Sequence, residues 1–326
     1  VYSPPRMQNA IAIPTVEELC DQLGDRVDVA ALRRRLAIEK QGGRPVPGRS
    51  LPFAYAEEWF LRPQLLRAAL KLSGLHARGR QNALAIQHRA HVLDSEHLPA
   101  ALDGLGILHL SDLHIDVSAE FEDALQKRVA EASFDLCVIT GDLRYRDRGD
   151  PRPALSAMAR LRPLLGGRAL LVLGNHDSAR WLPYLEKVGY EVLLNEATEV
   201  MYRGVALHVA GVDDRGYFGA DDIELAARNI PAQSPALLLS HSPEVVTDSA
   251  LERFHFVLCG HTHGGQIRLP GGVPVFTNAR CARRYCYQGW RLGKTRGYTS
   301  PGAGSSLLDV RFNCPPEITV HRLART

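Results

Sequence analysis

No run in this sequence approaches the ~18 consecutive apolar residues that a membrane-crossing helix requires, so a spanning helix within it is excluded. A surplus of charge is also missing: 39 Lys and Arg stand against 36 Asp and Glu, a net of +3. That balance excludes a polyanion-binding role carried by the whole surface and turns attention to local clusters. Internal repeats and low-complexity tracts are absent, which excludes a repeat architecture. Cysteine is scarce, six scattered residues, too few and too dispersed for a disulfide-framed miniature fold. Cys137 and Cys259 lie inside apolar runs, where cysteine behaves as a small hydrophobe. Cys281 and Cys286 lack a matching second pair and read as structural or incidental rather than as a zinc site. This usage fits a reducing cytoplasm. Near the start, Pro4, Pro5 and Arg6 precede no apolar core, so a signal peptide is not expected.

What is present is an ordinary globular composition, 45% hydrophobic and 23% charged. Residues 1–82 read as a mainly helical extension. Thr15 and Glu18 form a capping-box pattern before Leu19 and Leu23. Asp28 can cap a second helix carrying Val29, Leu32 and Leu36 on one side. Gly42, Gly43, Pro45, Pro47 and Gly48 mark a linker near 41–52. A third helical pattern runs from Pro63 to about Gly74. Its apolar side, with Leu65, Leu66, Ala69, Leu70 and Leu72, either packs on the main domain or, beside Arg67 and Lys71, rests on a membrane surface. From Ala83 the texture changes. Ala83–Leu93 reads as a strand, and short apolar runs recur at 106–110, 134–140, 169–173, 205–210, 236–239 and 254–258. Helical stretches such as 119–132 and 154–165 separate several of them. Continuous runs of this kind are strands covered on both faces, which predicts an α/β domain over 83–326.

Chemistry enters where the polar residues fall. The run ending at Ser111 meets Asp112 and His114, and the run ending at Thr140 meets Gly141 and Asp142. Leu173 leads into Gly174, Asn175, His176 and Asp177; Ser240 leads into His241; Cys259 leads into Gly260, His261 and His263. Ligands in open α/β folds bind beyond the carboxyl ends of the strands, so these side chains are expected in one cleft. Imidazoles mixed with carboxylates suit Mn, Zn or Fe better than Mg or Ca. Seven donors, Asp112, His114, Asp142, Asn175, His241, His261 and His263, exceed one tetrahedral ion but suit two held roughly 3.5–4 Å apart. Asp142 is the candidate bridge. Two divalent ions against the carboxylates of Asp112 and Asp142 leave an excess of about two positive charges. Such a site attracts a phosphate ester and lowers the pKa of water, whose hydroxide then attacks phosphorus in line. His176 is expected to stabilise developing charge or protonate the leaving oxygen, with Asp177 orienting it.

These motifs, Asp112-x-His114, Gly141-Asp142, Gly174-Asn175-His176-Asp177, His241 and Gly260-His261-x-His263, resemble the calcineurin-like metallophosphoesterase superfamily. The resemblance covers roughly 105–325. It implies a four-layer sandwich, two mixed β-sheets flanked by helices. It also implies a division of ligands: Asp112, His114, Asp142 and His263 for a first metal, and Asp142, Asn175, His241 and His261 for a second. The stretch Gly260–Gln266 and the late segment Arg311–Ile318 look like the bacterial phosphodiesterase branch related to YkuE and YaeI, similar to alternative UDP-2,3-diacylglucosamine pyrophosphatases. Gly141-Asp142-Leu143-Arg144-Tyr145 also fits a block of purple acid phosphatases. Those enzymes lack the His that His114 supplies here, so Tyr145 reads as part of the cleft wall. Arg144, Tyr145 and Arg284 are the candidate substrate contacts; basic stretches of this kind are also ordinary solvated faces. The expected function is hydrolysis of phosphodiester or diphosphate bonds. Phosphomonoester or nucleic-acid cleavage at the same site and a non-catalytic scaffold are the alternatives. The expected location is the cytoplasm, with peripheral contact at the inner membrane through the N-terminal segment as the variant reading.

Overall fold

The computed structural model describes residues 11–41 and 63–326. The expected linker after Gln41 therefore lies outside the described residues, as does the Pro-rich start. Helices α1 (Val16–Leu23) and α2 (Val29–Lys40) begin at caps legible in the sequence. Thr15 and Glu18 close a reciprocal capping box, and the Asp28 carboxylate accepts from the amides of Ala30 and Ala31. Helix α3 (Pro63–Leu72) is followed by α4 (Leu75–Leu84), a helix the apolar pattern did not announce. Ala83 and Leu84 thus finish a helix rather than open a strand. Gly79 explains part of this: its missing side chain lets α4 lie against Val310 and Phe312, where a Cβ would come within 2.8 Å. On α3, Leu72 is 90% exposed, whereas Leu66 and Leu70 are half-buried.

Two six-stranded sheets follow. The first has the order β1 (Gln87–Ser95), β12 (Glu317–Arg325), β2 (Gly106–Leu110), β3 (Leu136–Thr140), β4 (Ala169–Val172), β5 (Glu191–Val192). The second runs β10 (Gln288–Leu292), β11 (Thr295–Thr299), β9 (Phe256–Cys259), β8 (Ala236–Leu239), β7 (Val205–Gly211), β6 (Glu196–Tyr202). Strands β2 to β5 are mutually parallel, as are β7, β8, β9 and β11. Antiparallel pairs β12–β2, β6–β7 and β10–β11 make both sheets mixed.

Period-two alternation sorts each apolar run onto two faces. Ile107, Val138, Val172, Leu237, Leu239, Phe256 and Leu258 point into the space between the sheets and form one core. Leu108, Leu110, Cys137, Ile139 and Leu171 point outward to the helices, α1 and α2 among them through Leu19, Leu23, Leu32 and Leu36. Leu238, Val257 and Cys259 back onto a third cluster outside the second sheet. The result is the four-layer sandwich, helix, sheet, sheet, helix, and both faces of each inner strand are buried, which is why those strands read as unbroken apolar runs.

Candidate metal centre

The parallel arrangement sets the carboxyl ends of β2, β3 and β4 opposite those of β8 and β9, and every expected ligand lies in the loops that leave them. Backbone bonds knit these loops together. The amides of Asp112 and His114 donate to the carbonyls of Gly141 and Asp142 at 3.0 Å, and that of Gly260 to His241 at 2.8 Å. The turns are abrupt. Asp112, His114, Asp142, His261 and His263 all have positive φ, between 41° and 70°, a region side-chain-bearing residues rarely occupy and one that clusters at functional sites. Space is equally restricted: a Cβ on Gly260 would run into Ser111 and Asp112, and one on Gly141 into the backbone of Gly174.

Donor atoms converge in two overlapping groups. Asp112, His114, Asp142 and His263 are all buried and offer ligand atoms within 4.8 Å of one another. Within that group, His114 Nε2 is 3.2 Å from His263 Nε2, and His263 Nε2 is 3.4 Å from Asp112 Oδ1. The second group gathers on His241 Nε2, which lies 3.1 Å from Asn175 Oδ1, 3.1 Å from His261 Nδ1 and 3.4 Å from Asp142 Oδ1. Asp142 belongs to both: its Oδ1 faces His241 and its Oδ2 is 3.8 Å from His114 Nε2.

Carbonyl groups behind the ring nitrogens prepare the donors. His114 Nδ1 donates to the Arg144 carbonyl and His241 Nδ1 to the Thr140 carbonyl, each at 2.8 Å. Each bond places a proton on Nδ1 and turns Nε2 toward the cleft, the orientation a metal needs. Burial, reinforced by His176, depresses the His114 pKa to about 3, so this imidazole is neutral. Burial also opposes charge on His241, but Asp142 and Asp112 outweigh it and hold its pKa above the imidazole range. For Asp112, burial and the nearby Asp142 push the pKa up. Two carboxylates and clustered imidazoles form a donor set that fits divalent metal.

The remaining candidates fall around this cage. His176 Nε2 lies 3.9 Å from Asp142 Oδ2, and its Nδ1 is buried without a hydrogen-bond partner. Asp177 does not orient it. The Asp177 carboxylate instead accepts from the amides of Asp142 (2.8 Å), Leu143 (2.9 Å) and Gly174 (2.9 Å), clamping two ligand-bearing loops together. Burial and Asp142 raise its pKa to about 6. Arg144 lines a cleft of about 280 Å³ beside Asn175 and His176. Its guanidinium bonds the carbonyls of Asp147 and Gly149 and lies over Trp181. Tyr145 meets the His114 ring edge-on, and its hydroxyl donates to the Leu307 carbonyl at 3.0 Å rather than facing the cage. Arg284 is exposed and bonds the Tyr285 hydroxyl; the structure does not bring it to the cage. Cys281 and Cys286 are free thiols 3.8 Å apart.

Sequence reasoning missed several contributors. Arg311 is fully buried behind His263, its Nη2 3.4 Å from Nδ1, and it bonds the carbonyls of Pro301, Gly302, Gly304 and Cys314. Glu39 of α2 reaches the cleft and accepts from Ser178 Oγ (2.6 Å) and the Ala179 amide (3.0 Å). Nothing local in the sequence marks Glu39, because its partners lie about 140 residues away.

Comparison with known proteins agrees with this geometry. The sequence model of the calcineurin-like phosphoesterase family matches residues 105–265. An uncharacterized metallophosphoesterase of Aquifex aeolicus is 33% identical over 245 residues, 71% of this chain and 88% of that protein. The uncharacterized metallophosphoesterase YkuE of Bacillus subtilis is 29% identical over 250 residues, 74% of this chain and 86% of that protein. A transmembrane protein with metallophosphoesterase domain from Danio rerio is 29% identical over 243 residues, 69% of this chain but 54% of that protein. Among the described residues of this chain no helix is long and apolar enough to cross a membrane.

Proposed function

Because the chain belongs to the calcineurin-like metallophosphoesterase family, a family of phosphoric ester hydrolases, we propose that it cleaves phosphodiester or diphosphate bonds at a dinuclear metal centre. The observation that carries this reading is the sharing of Asp142 between two convergent donor groups, one of four buried side chains and one gathered on His241. Asp112, His114, Asp142 and His263 would hold one divalent ion; Asp142, Asn175, His241 and His261 would hold the other. Ions of this kind, Mn, Zn or Fe, supply Lewis-acid polarisation of the phosphoryl group and acidify the attacking water.

The chain's own residues supply the rest. His176 borders the cage with an unpartnered Nδ1, and we assign it the proton delivered to the leaving oxygen. The cleft beside it, lined by Arg144 and Arg148 together with Glu39 and Asp147, gives space to an organic group carried on the phosphorus. Asp177 keeps the Asp142 and Asn175 loops in register.

Asp142→Ala and His241→Ala should each abolish metal-dependent hydrolysis of bis(p-nitrophenyl) phosphate while the protein stays folded. Elemental analysis of the wild type should find two transition-metal ions per chain. Near-normal turnover in either variant would overturn the dinuclear mechanism. Faster turnover of p-nitrophenyl phosphate than of the diester would overturn the substrate class.

A further inference from the structure

An unbroken chain of hydrogen bonds runs along the inner face of the first sheet, from β1 to β3, and ends on the Asp112 carboxylate. His91 Nδ1 of β1 lies 3.2 Å from His321 Nδ1 of β12. His321 Nε2 lies 3.3 Å from His109 Nδ1 of β2, and His109 Nε2 is 2.8 Å from Thr140 Oγ1. Thr140 Oγ1 then donates to Ser111 Oγ at 2.8 Å, and Ser111 Oγ donates to Asp112 Oδ2 at 2.6 Å. Strand register produces the alignment. His91 and His321 are direct partners, and they share the inner face with Leu93 and Leu323, as His109 does with Ile107. The Tyr298 ring packs against His91 and His321, with centroids 4.6 and 4.8 Å away. Ser111, Thr140, His109 and His321 are completely buried, so no water competes for these bonds.

The direction of each bond follows from its neighbour. Ser111 Oγ donates its single proton to Asp112 Oδ2. Ser111 must then accept from Thr140, and Thr140 must accept from His109 Nε2–H. Burial keeps the three imidazoles neutral, holding His109 at about 3 and lowering His321 and His91. A neutral ring has one N–H and one lone pair. With its proton on Nε2, His109 accepts at Nδ1 from His321 Nε2–H, and His321 accepts at Nδ1 from His91 Nδ1–H.

We infer that this chain, polarised from His91 to Asp112, holds the Asp112 carboxylate in its metal-facing rotamer, making Ser111, Thr140, His109, His321 and His91 positioning residues for the centre. The inference rests on Asp112 being a metal ligand. Hydrogen bonds aligned head to tail polarise one another, so the distal members act on Asp112 although they do not touch it. Thr140 serves both donor groups: its hydroxyl lies in the chain and its carbonyl orients His241.

Two measurements on the full chain test it. Nitrogen-15 NMR of the imidazoles in metal-free protein, assigned with single-histidine variants, should find His109 and His321 protonated on Nε2 and His91 on Nδ1. An Nδ1–H tautomer or a charged ring at His109 or His321 would overturn the polarity. Titration with Mn²⁺ by calorimetry should show His109→Leu weakening binding roughly 10–100-fold, the range typical of residues that orient a ligand. His109→Gln, whose side-chain amide offers a donor where Nε2–H stood, should recover much of the loss. His91→Leu, at the half-buried end, should weaken binding in the same direction by a smaller factor; it serves if His109→Leu does not fold. Unchanged affinity in a folded leucine variant, with the tautomers as expected, would remove the positioning role alone. A wild type that takes up no metal would remove the metal centre and the positioning role together.

Discussion

Asp112, His114, Asp142, His261 and His263 all sit at positive φ, a conformation that costs on the order of 1–3 kcal/mol per non-glycine residue. Something must hold that backbone in place, and Asp177 is a principal part of it. Three amides from two loops converge on its buried carboxylate. Asp177→Asn keeps the shape but exchanges one acceptor oxygen for an NH₂ group, which then faces an amide N–H. Leaving that buried donor unsatisfied should lower stability by about 1–3 kcal/mol, read as a lower urea midpoint at unchanged slope. An unchanged midpoint would show that the loops hold their course without this carboxylate.

Helix α2 links its caps and spacing to the cleft through two side chains one turn apart. Arg35 is fully buried; it pairs with Glu39 at 3.0 Å and Asp213 at 3.1 Å, donates to the Asp177 carbonyl at 3.2 Å, and lies on the Phe218 ring. Glu39 in turn holds Ser178 and Ala179, just past the residues that carry His176. The helix thereby braces the Asn175–Ala179 loop and the segment around Asp213. Arg35→Met should destabilise the protein by about 3–5 kcal/mol, because the buried Asp213 loses its counter-charge. Thermal or urea denaturation measures this, and a loss under 1 kcal/mol would show that α2 does not brace the loops. The same helix borders a second cavity of about 430 Å³, lined by Asp28, Leu32, Asn195 and Asp213 among others, that shares no residue with the cage.

At the scale of the molecule, the donors come from both sheets: Asp112, His114, Asp142 and Asn175 from the first, His241, His261 and His263 from the second. An ion bound among them ties the two layers together and binds the folded state alone. Linkage then requires stabilisation that grows with free metal, about 2.7 kcal/mol at a hundred times the dissociation constant. Mn²⁺ or Zn²⁺ should raise the Tm of chelator-treated protein, and His241→Ala should shrink that rise. A Tm indifferent to chelator and to added ion would contradict the metal centre.

How much of this was legible beforehand follows from the range of each interaction. The strands β2, β3, β4, β8 and β9 were readable because both faces are buried, and the α1 and α2 caps because a capping bond spans only two or three residues. The ligand residues were readable because each follows directly on an apolar run. Helix α4 was not, since its place depends on Gly79 meeting Val310 and Phe312, more than 230 positions along. Nor was the task of Asp177, which the adjacent His176 made look like an orienting carboxylate, although its partners are amides of other loops. The relay from His91 through His321 and His109 needs the parallel pairing of β1 with β12, two strands at opposite ends of the described domain. By itself the sequence determined which side chains would carry the chemistry, because strand ends and residue types are local properties. Only the tertiary structure decided which atoms face one another and what holds them there, because those contacts join residues that the chain separates by tens to hundreds of positions.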